Sequence, residues 1–514
     1  MAGPSRRDVL WTAGLTALAG CAPGELPPAS TPPPTPEPAP PPPPAPAVAP
    51  HGGSRRNVIL IMVDDQRADG FGLGGHPFLQ TPNLDRLGTE GAWFREAFVT
   101  TSLCCPSRAS MLSGLYAHSH GVVNNKAELA DAIPTWNKLL QQAGVKTAYV
   151  GKWHMGGPSS APRPGWDHWV SFPGQGRYNY PGDKGSPEER QFNINGELVP
   201  VEGYVTDLVT DHAVDWLKSQ AKGERFAMVI GHKACHAPFE PAPRHADAFA
   251  DAPVPAPLPD TDAAYKGRPN WLRRMRESLF GAETLYNGRW KEFADWYRDY
   301  HRTLLSVDES VGRLLATLEE TGLAGETLIL YTSDNGFMTG ERGVLDKRCF
   351  YEESIRVPLL AWAPGLVSPG ARPEGMALNI DLAPTILDVA GFGALESMHG
   401  ASLMPLLGDG DPEWRDVFLY EYFFERAFPQ CPTVLGVRTR EAKLISYHGV
   451  WEVPEFYDLQ ADPGETSNLL RDPAFAKRRS ALWKRLRGQL KRYGGLWSPA
   501  WGAGMVDAAF EDAE

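Results

Sequence analysis

The chain has 514 residues, of which 42% are hydrophobic and 22% are charged, so it can bury a large core and form one large domain with a smaller one beside it. A formal net charge of -12 argues against nucleic acid as a partner, because such binding usually needs a basic face. An anionic substrate would therefore need a pocket that is basic only locally.

The amino terminus, residues 1–20, is typical of an export signal. Arg6 and Arg7 form the pair of a twin-arginine signal, and the apolar stretch that follows is too short to span a bilayer. It closes with Leu-Ala-Gly-Cys, which resembles a bacterial lipobox, so we expect cleavage before Cys21 and lipidation of this cysteine. The alternative is an ordinary cleaved signal in which Cys21 is incidental. The lipidated form would be held on a membrane, facing the periplasm or the cell surface.

The composition also indicates how the rest of the chain is divided. Residues 21–52 begin with this cysteine and continue as a run dominated by Pro and Ala, which cannot form a packed core and predicts a semi-rigid polyproline II spacer. We expect a large domain over 53–405 and a smaller subdomain over 406–514. In the subdomain, short strands are predicted over 418–422, 433–438 and 443–447, and a basic helix over 475–493.

Four strand-like stretches of the large domain each end in polar residues. The first, Asn57–Val63, is an apolar run typical of a strand buried on both faces of a parallel sheet. The residues that follow the four stretches are Asp64 and Asp65, then Lys152 and His154, then His232 and His236, then Asp334 and Asn335. A helical pattern over 311–318, ended by Gly322, precedes the last stretch and indicates the βα alternation of a parallel sheet. Because the carboxyl ends of parallel strands meet at one edge, we expect these side chains to share a site.

The stretch 102–114 contains a candidate nucleophile, Cys104. It reads Cys-Cys-Pro-Ser-Arg over 104–108 and continues with small and apolar residues to Gly114. This pattern resembles the signature of type I sulfatases of the alkaline phosphatase superfamily, and the resemblance extends from about 57 to about 470. In that family the first cysteine of the motif is oxidised to formylglycine by a dedicated formylglycine-generating enzyme, and the hydrated aldehyde is the nucleophile. The other interpretation of the residues is a buried cysteine pair before a helix.

The chemistry of a hydrated aldehyde fits such a site. A thiol is a soft ligand, whereas a geminal diol offers two hard oxygens, of which one can bind a hard cation while the other attacks sulfur. The resemblance implies an α/β fold, an alkaline-phosphatase-like, mostly parallel sheet flanked by helices, with a smaller antiparallel sheet in the C-terminal subdomain. It also implies one divalent cation, calcium by its hard oxygen ligands, with magnesium fitting the same set. The implied ligands are Asp64, Asp65, Asp334, Asn335 and the formylglycine made from Cys104.

The resemblance further places Arg108, Lys152, His154, His236 and Lys347 around the sulfate. Lys152, Lys347 and the cation would withdraw charge from the sulfuryl oxygens. Either His236 or Lys347 would protonate the departing alcohol, and His154 would take a proton from the remaining hydroxyl so that free sulfate leaves.

The substrate expectation rests on the same motif. The stretch 103–110, followed by His118, His120 and 121–125, is particularly similar to N-acetylglucosamine-6-sulfatases. We therefore expect a sulfuric ester hydrolase acting on sulfated glycans such as those that carry N-acetylglucosamine 6-sulfate. Two alternatives are a phosphonate or phosphate diesterase of the same superfamily and a non-catalytic, glycan-binding surface lipoprotein. The sequence leaves open the sugar, the sulfate position, exo or endo action and the oligomeric state.

Several residues outside these motifs are candidates for substrate contacts. Arg342 stands in Gly-Glu-Arg-Gly, where sulfatases with this kind of block often have His, and it either contacts substrate or faces solvent. In the subdomain, the candidates for contacts with the rest of the substrate are Glu421, Tyr422, Tyr447 and His448, and the alternative is that they are ordinary strand residues.

Four of the six cysteines have no assigned role, namely Cys105, Cys235, Cys349 and Cys431. An exported chain can pair some of them. Because Cys235 and Cys349 both flank predicted site residues, we put forward a disulfide between these two.

Overall fold

A computed structural model describes residues 55–182, 186–256, 261–278, 292–408, 413–449 and 451–495. The signal peptide, Cys21 and the Pro-rich spacer lie outside the described residues. Among the helices that are described, none combines the length and the apolar character needed to cross a bilayer.

In chain order, the strands of the described residues are β1 (Asn57–Val63), β2 (Ala92–Trp93), β3 (Ala97–Phe98), β4 (Lys146–Gly151), β5 (His168–Ser171), β6 (Asn179–Tyr180), β7 (Gln191–Ile194), β8 (Glu197–Pro200), β9 (Gly203–Tyr204), β10 (Phe226–Gly231), β11 (Thr327–Ser333), β12 (Leu359–Trp362), β13 (Ala377–Leu378), β14 (Val417–Tyr422), β15 (Thr433–Thr439), β16 (Ala442–His448) and β17 (Glu455–Asp458).

Helices connect these strands. They are α1 (Pro82–Thr89), α2 (Cys104–Ser113), α3 (Ala117–His120), α4 (Trp136–Gln142), α5 (Val205–Lys218), α6 (Asp262–Tyr265), α7 (Asn270–Arg276), α8 (Phe293–Glu320), α9 (Glu352–Ile355), α10 (Leu382–Val389), α11 (Met404–Leu407) and α12 (Ala476–Tyr493). Short 3-10 turns occupy Glu188–Arg190, Pro243–His245, Ala324–Glu326, Glu341–Gly343, Asn379–Asp381 and Pro473–Phe475.

Nine strands form one sheet in the order β2-β12-β11-β1-β10-β4-β5-β7-β8. The middle strands β11, β1, β10, β4 and β5 are parallel, while β12 and β2 at one edge and β7 and β8 at the other pair in antiparallel fashion. In this register Met62 of β1 lies between Thr332 of β11 and Gly231 of β10, so the ends of these strands are level. The predicted α/β fold, built on a sheet with a parallel centre, is confirmed.

Two hydrophobic clusters cover the two faces of this sheet. Alternate residues of β1 point to opposite faces, with Val58, Leu60 and Met62 in one cluster and Ile59, Ile61 and Val63 in the other. The predicted helix over 311–318 is the second half of α8, a 28-residue helix that packs on the second face, and Gly322 follows it with φ of 71°. Burial on both faces explains why β1 is apolar at every position after Asn57.

A separate antiparallel sheet has the order β14-β15-β16-β17, and α12 packs against it. Its first three strands and its helix are those predicted from the sequence. Both sheets lie in one contiguous compact unit, so the boundary expected between 405 and 406 stays a prediction.

A buried ion network joins the two sheets. Lys443 of β16 pairs with Glu352 of α9 at 2.8 Å and with Glu465 at 2.6 Å, and its Nζ also donates to the Phe350 carbonyl at 2.8 Å. Arg438 of β15 also binds Glu352, donating from Nε to Oε1 at 3.0 Å and from Nη2 to Oε2 at 3.2 Å. The C-terminal sheet therefore supplies the cations that neutralise α9, which follows the Lys347 segment of the predicted site.

The expected disulfide between Cys235 and Cys349 is wrong. All five cysteines of the described residues are buried free thiols. Cys349 belongs to the cluster on one face of the large sheet, where its Sγ lies 3.1 Å from the Met338 Sδ, and Cys235 belongs to the cluster on the opposite face. The sheet itself separates the two sulfur atoms.

Candidate active site

Polar side chains collect at the carboxyl ends of the four central strands. Two such residues follow each strand: Asp64 and Asp65 follow β1, and Asp334 and Asn335 follow β11. Lys152 and His154 follow β4, and His232 and His236 follow β10. The chain is locked there by backbone bonds, because the Asp334 N–H donates to the Val63 carbonyl at 3.0 Å and the Asp64 N–H to the Ala234 carbonyl at 2.9 Å. The first residue of α2, Cys104, comes to the same edge, since its Sγ lies 3.4 Å from the Asp64 Oδ1.

Four of these residues form a cluster that suits a cation. One ligand atom each from Asp64, Asp65, Cys104 and Asp334 lies within 4.8 Å of the other three. Asn335 joins them by donating from Nδ2 to the Asp65 Oδ1 at 2.6 Å, while its own Oδ1 is buried without a hydrogen-bond partner among the described residues. A buried amide oxygen is costly to leave unpaired. Carboxylate and amide oxygens in this arrangement fit a hard divalent cation.

Each carboxylate of the cluster also has a buried cation of its own. Lys152 pairs with Asp64, and Lys347 pairs with Asp65 and lies 3.2 Å from the Cys104 Sγ. Charges buried this deeply persist only when they are paired and hydrogen-bonded. Lys152 and Lys347 therefore hold positive charge beside the candidate nucleophile.

Arg108 supplies the third cation. It reaches Asp334 through its Nε at 2.8 Å and the Lys152 carbonyl through Nη1 at 2.6 Å. Its remaining Nη2 is buried with no acceptor among the described residues. The Nη2 group of the guanidinium is thus left for a ligand.

The pKa values of the two neighbouring carboxyls are shifted in opposite directions. It raises the pKa of Asp65 to about 7, with Lys347 opposing it and Asp64 adding to it. Burial alone would also raise the pKa of Asp64, but neighbouring cations, Lys152 above all, outweigh it and hold the pKa well below its usual value. The two carboxyls therefore differ in protonation when no cation is bound, as expected for adjacent acids in one buried site.

The encoded thiol of Cys104 is a poor nucleophile in this environment. Burial raises its pKa to about 12, and the charge of Asp64 adds to the rise. Since the thiolate is the reactive form, the unmodified side chain would be inert at neutral pH.

Two histidines face the same cluster. His154 is buried, and its Nδ1 has no partner within the described part of the chain. His236 lies with its Nε2 3.9 Å from the Asp65 Oδ2, and its Nδ1 lies 2.6 Å from the Ala237 carbonyl, so Nδ1 carries the proton and donates. Burial lowers the pKa of both rings well below the usual value, which keeps them neutral.

The backbone at the site is strained in two places. Asp65 and His154 adopt left-handed conformations with φ of 66° and 68°. Residues other than glycine rarely adopt such angles, and they cluster at functional sites.

Sequence reasoning missed Lys233, which lies between the two histidines of the loop after β10. Its side chain is buried, and its ammonium lies 4.8 Å from the centroid of the Tyr178 ring. Burial and the charge of Lys152 lower its pKa to about 8. The sequence does not indicate that Lys233 is buried, because a lysine beside a histidine is ordinary in a surface loop.

The predicted substrate residue Arg342 is held by the protein itself. It is 5% exposed, so the expectation that it faces solvent is wrong. Its guanidinium pairs with Glu353 at 3.0 Å and Glu465 at 3.6 Å and lies 4.0 Å from the Tyr351 ring centroid. These contacts leave the proposed substrate contact without support.

The subdomain candidates are likewise engaged in internal contacts. Glu421 is fully buried and accepts hydrogen bonds from the N–H and the Nδ1 of His118 at 2.9 Å and 2.8 Å. Tyr422 donates its Oη to Glu425 at 3.0 Å, and Tyr447 donates to Glu455. His448 ends β16 and is half-buried. This arrangement favours the interpretation as ordinary strand residues over substrate contacts.

Comparison with known proteins identifies the family of this chain. Residues 56–392 match the Sulfatase family, and residues 340–492 match the family of the N-sulphoglucosamine sulphohydrolase C-terminal region. The N-acetylglucosamine-6-O-sulfatase of Bacteroides thetaiotaomicron is 33% identical over 496 residues, which cover 85% of this chain and 87% of the relative. The human N-acetylglucosamine-6-sulfatase is 32% identical, covering 82% of each chain.

Solved structures agree with this. A protein in complex with its substrate D-glucosamine-2-N,6-O-disulfate superposes with a TM-score of 0.78 at 32% identity, covering 86% of this chain and 99% of the other. The phosphonate monoester hydrolase of Agrobacterium radiobacter superposes with a TM-score of 0.72 at 23% identity, covering 85% and 96%, which shows a shared fold.

Proposed function

Because the chain belongs to the sulfatase family, and is a sulfuric ester hydrolase, we propose that it removes the 6-O-sulfate of a glucosamine unit in a sulfated glycan through a formylglycine made from Cys104. One observation carries the proposal. The carboxylates of Asp64, Asp65 and Asp334 and the unpartnered amide oxygen of Asn335 surround Cys104. The relatives named as N-acetylglucosamine-6-sulfatases and the neighbour bound to a glucosamine disulfate support the choice of substrate.

The cation site would be formed by Asp64, Asp65, Asp334 and Asn335. Calcium suits these hard oxygen ligands, and magnesium is the alternative. A bound divalent cation would withdraw charge from the sulfuryl oxygens and so stabilise the transition state.

Three side chains would orient the sulfate. Arg108 is fixed by Asp334 and a backbone carbonyl, so its free Nη2 can donate to a sulfate oxygen without a loss of side-chain freedom. Lys152 and Lys347 would add positive charge where negative charge develops in the transition state. Since all three are buried, these interactions act in a medium of low dielectric constant, where they are stronger than in water.

Proton transfer needs one group that carries a proton and one that lacks it. Burial alone would lower the pKa of Lys347, but Asp65 raises it well above its usual value. Lys347 is therefore protonated, and its ammonium can donate a proton to the departing alcohol. His154 is neutral and its Nδ1 is unpartnered, which suits a base that takes a proton from a hydroxyl at the Cys104 position. Of the two candidates for protonating the alcohol, we favour Lys347 over the neutral His236.

The burial of Cys104 bears on when it would be matured. Cys104 is fully buried within the first turn of α2, where no modifying enzyme can reach its Sγ. We therefore propose that a formylglycine-generating enzyme acts on the unfolded chain.

We also propose that the protein is a lipoprotein attached through Cys21 and exported by the twin-arginine route. The sequence over 1–21 supports this. Globomycin, which blocks cleavage of prolipoproteins, should shift the mass of the wild-type protein and leave a Cys21→Ala variant unchanged. Recovery of the wild-type protein from the soluble extracytoplasmic fraction would contradict the anchor.

The decisive experiment is mass spectrometry of the tryptic peptide 96–108 together with a sulfate-release assay. We expect an aldehyde at Cys104 and release of sulfate from glucosamine 6-sulfate or its N-acetyl form. Cys105→Ala is a matched control, because Cys105 is an equally buried neighbouring thiol that should leave the aldehyde in place. An intact thiol at Cys104 would favour the non-catalytic glycan-binding lipoprotein. Faster turnover of phosphonate or phosphate esters would favour the rival hydrolase.

A further inference from the structure

A cavity of about 630 Å³ borders the candidate active site. Its walls include Pro158, from the loop that carries His154, and Lys233 and Pro238, from the loop that carries His236. The cavity and the site are joined through the backbone, because the His236 N–H donates to the Lys233 carbonyl at 3.0 Å. The opposite wall, residues 173–179, is tied to the same loop, since Tyr178 donates its Oη to the His236 carbonyl at 2.9 Å. A group in this cavity would therefore lie against the loop that carries His236.

Lys233 is an unusual cation in this wall. It is only 3% exposed, and across the described part of the chain its ammonium makes no hydrogen bond and no ion pair. The buried lysines of the site itself, Lys152 and Lys347, each pair with a carboxylate. The contact that Lys233 does make is a cation–π contact with the Tyr178 ring, 4.8 Å from its centroid. A lysine this little exposed normally has an anionic partner, and Lys233 has none among the described residues.

The other charged groups of the cavity do not supply this anion. Glu189 lies 3.4 Å from Arg177, and both are partly exposed. Glu240 is exposed, and its carboxylate accepts from the Asn179 amide at 3.2 Å. Asp64 and Asp65, whose charges also act on Lys233, are paired with Lys152 and Lys347.

A buried acceptor accompanies the buried cation. The Oε1 of Gln175, in the opposite wall, has no hydrogen-bond donor among the residues that the structure describes. An unpaired carbonyl oxygen of this kind is suited to a hydroxyl or an N–H of a sugar. The cavity thus presents one cation and one acceptor for the same ligand.

We propose that this cavity binds the part of the substrate beyond the scissile ester and that Lys233 binds a second anionic group of the glycan there. This group is a sulfate or a carboxylate, and Gln175 accepts a hydrogen bond beside it. The inference rests on the proposed function and adds a preference to it, namely that a substrate with two anionic groups is cleaved more efficiently than one with a single sulfate.

The test compares kcat/KM for three substrates. They are glucosamine 6-sulfate, glucosamine 2-N,6-O-disulfate, and a disaccharide in which glucosamine 6-sulfate is linked to a uronate. We expect the wild-type protein to prefer at least one of the two dianionic substrates, and Lys233→Met to reduce that preference by about 10-fold or more, the usual effect of losing a hydrogen bond to a charged group. Loss of preference for the disulfate assigns the anion to the N-sulfate, and loss for the disaccharide assigns it to the carboxylate.

Two further variants keep the test sharp. Lys233→Arg retains the charge and should retain most of the preference, whereas Lys222→Met removes an exposed lysine outside the cavity and should change no ratio. Equal loss on all three substrates in Lys233→Met would overturn the inference, because Lys233 would then act on the scissile group or on the fold. Equal kcat/KM of the wild-type protein for all three would overturn the inference alone. Failure of the matured protein to cleave any of them would overturn the proposed function, and the inference with it.

Discussion

Cation binding should weaken steeply below pH 7, and Asp65 is the reason. Burial raises the pKa of this carboxyl to about 7 in the protein without a cation. Only the deprotonated form can bind a cation, so a proton competes for the site below this pH. At pH 5.5 about 3% of Asp65 is ionised, so the apparent Kd should be about 30-fold higher than at pH 8, or about 2 kcal/mol. Asp64 adds nothing in this range, since its pKa is held well below the usual value.

Isothermal titration calorimetry of the chelator-treated protein with calcium would test this. Titrations at pH 5.5, 6.5 and 8 in buffers of different ionisation enthalpy give both Kd and the number of protons released. We expect about one proton released per cation at pH 5.5 and about 0.1 at pH 8. Asp65→Asn should bind more weakly and lose the pH dependence. A Kd that stays constant from pH 5.5 to 8 would show that Asp65 is already ionised in the cation-free protein and would refute the reasoning.

Three further variants probe catalysis and stability. Cys104→Ala should abolish sulfate release while leaving the thermal unfolding midpoint within about 2 °C, and activity at the wild-type level would exclude this residue as nucleophile. Arg108→Lys should lower kcat/KM about 100-fold or more, because a single ammonium nitrogen cannot span the acceptors that Arg108 reaches with separate nitrogens. A loss under 5-fold would argue against a sulfate contact. Lys443→Met should lower the free energy of unfolding, measured by denaturant titration, by about 3 kcal/mol. Of the two described cations that pair with Glu352, only Arg438 would remain. An unchanged transition midpoint would mean that the network does not hold the two sheets together.

The sequence allowed the main strands to be predicted because their signal is local. The run of β1 is apolar at every position needed for a strand buried on both faces, and the polar residues at its end mark the sheet edge. The two-residue strands β2, β3 and β13 are too short for any periodicity to reveal them. Their pairing depends on chain segments that are far away in sequence.

Long-range partners explain the other differences. The side chain of Arg342 is typical of a surface loop when read alone, and only the folded chain brings Glu465 and Tyr351 to it. Cys235 and Cys349 both adjoin the site in sequence, yet the sequence does not say which face of the sheet each thiol occupies. Lys233 is recognised by the lack of an anionic partner, which is a property of the fold and not of the residue.

The ion network between the two sheets has a consequence for how such a protein can be recombined. A cut near residue 405 would leave Glu352 in one fragment and its cations, Lys443 and Arg438, in the other. Each fragment would then expose, or bury without compensation, charges that the intact chain neutralises internally. A chimera that exchanges the C-terminal sheet with that of a relative must therefore carry matching residues at all three positions. If the chain is to be divided into two fragments that reassemble, the cut should lie in an exposed loop within one of the sheets instead.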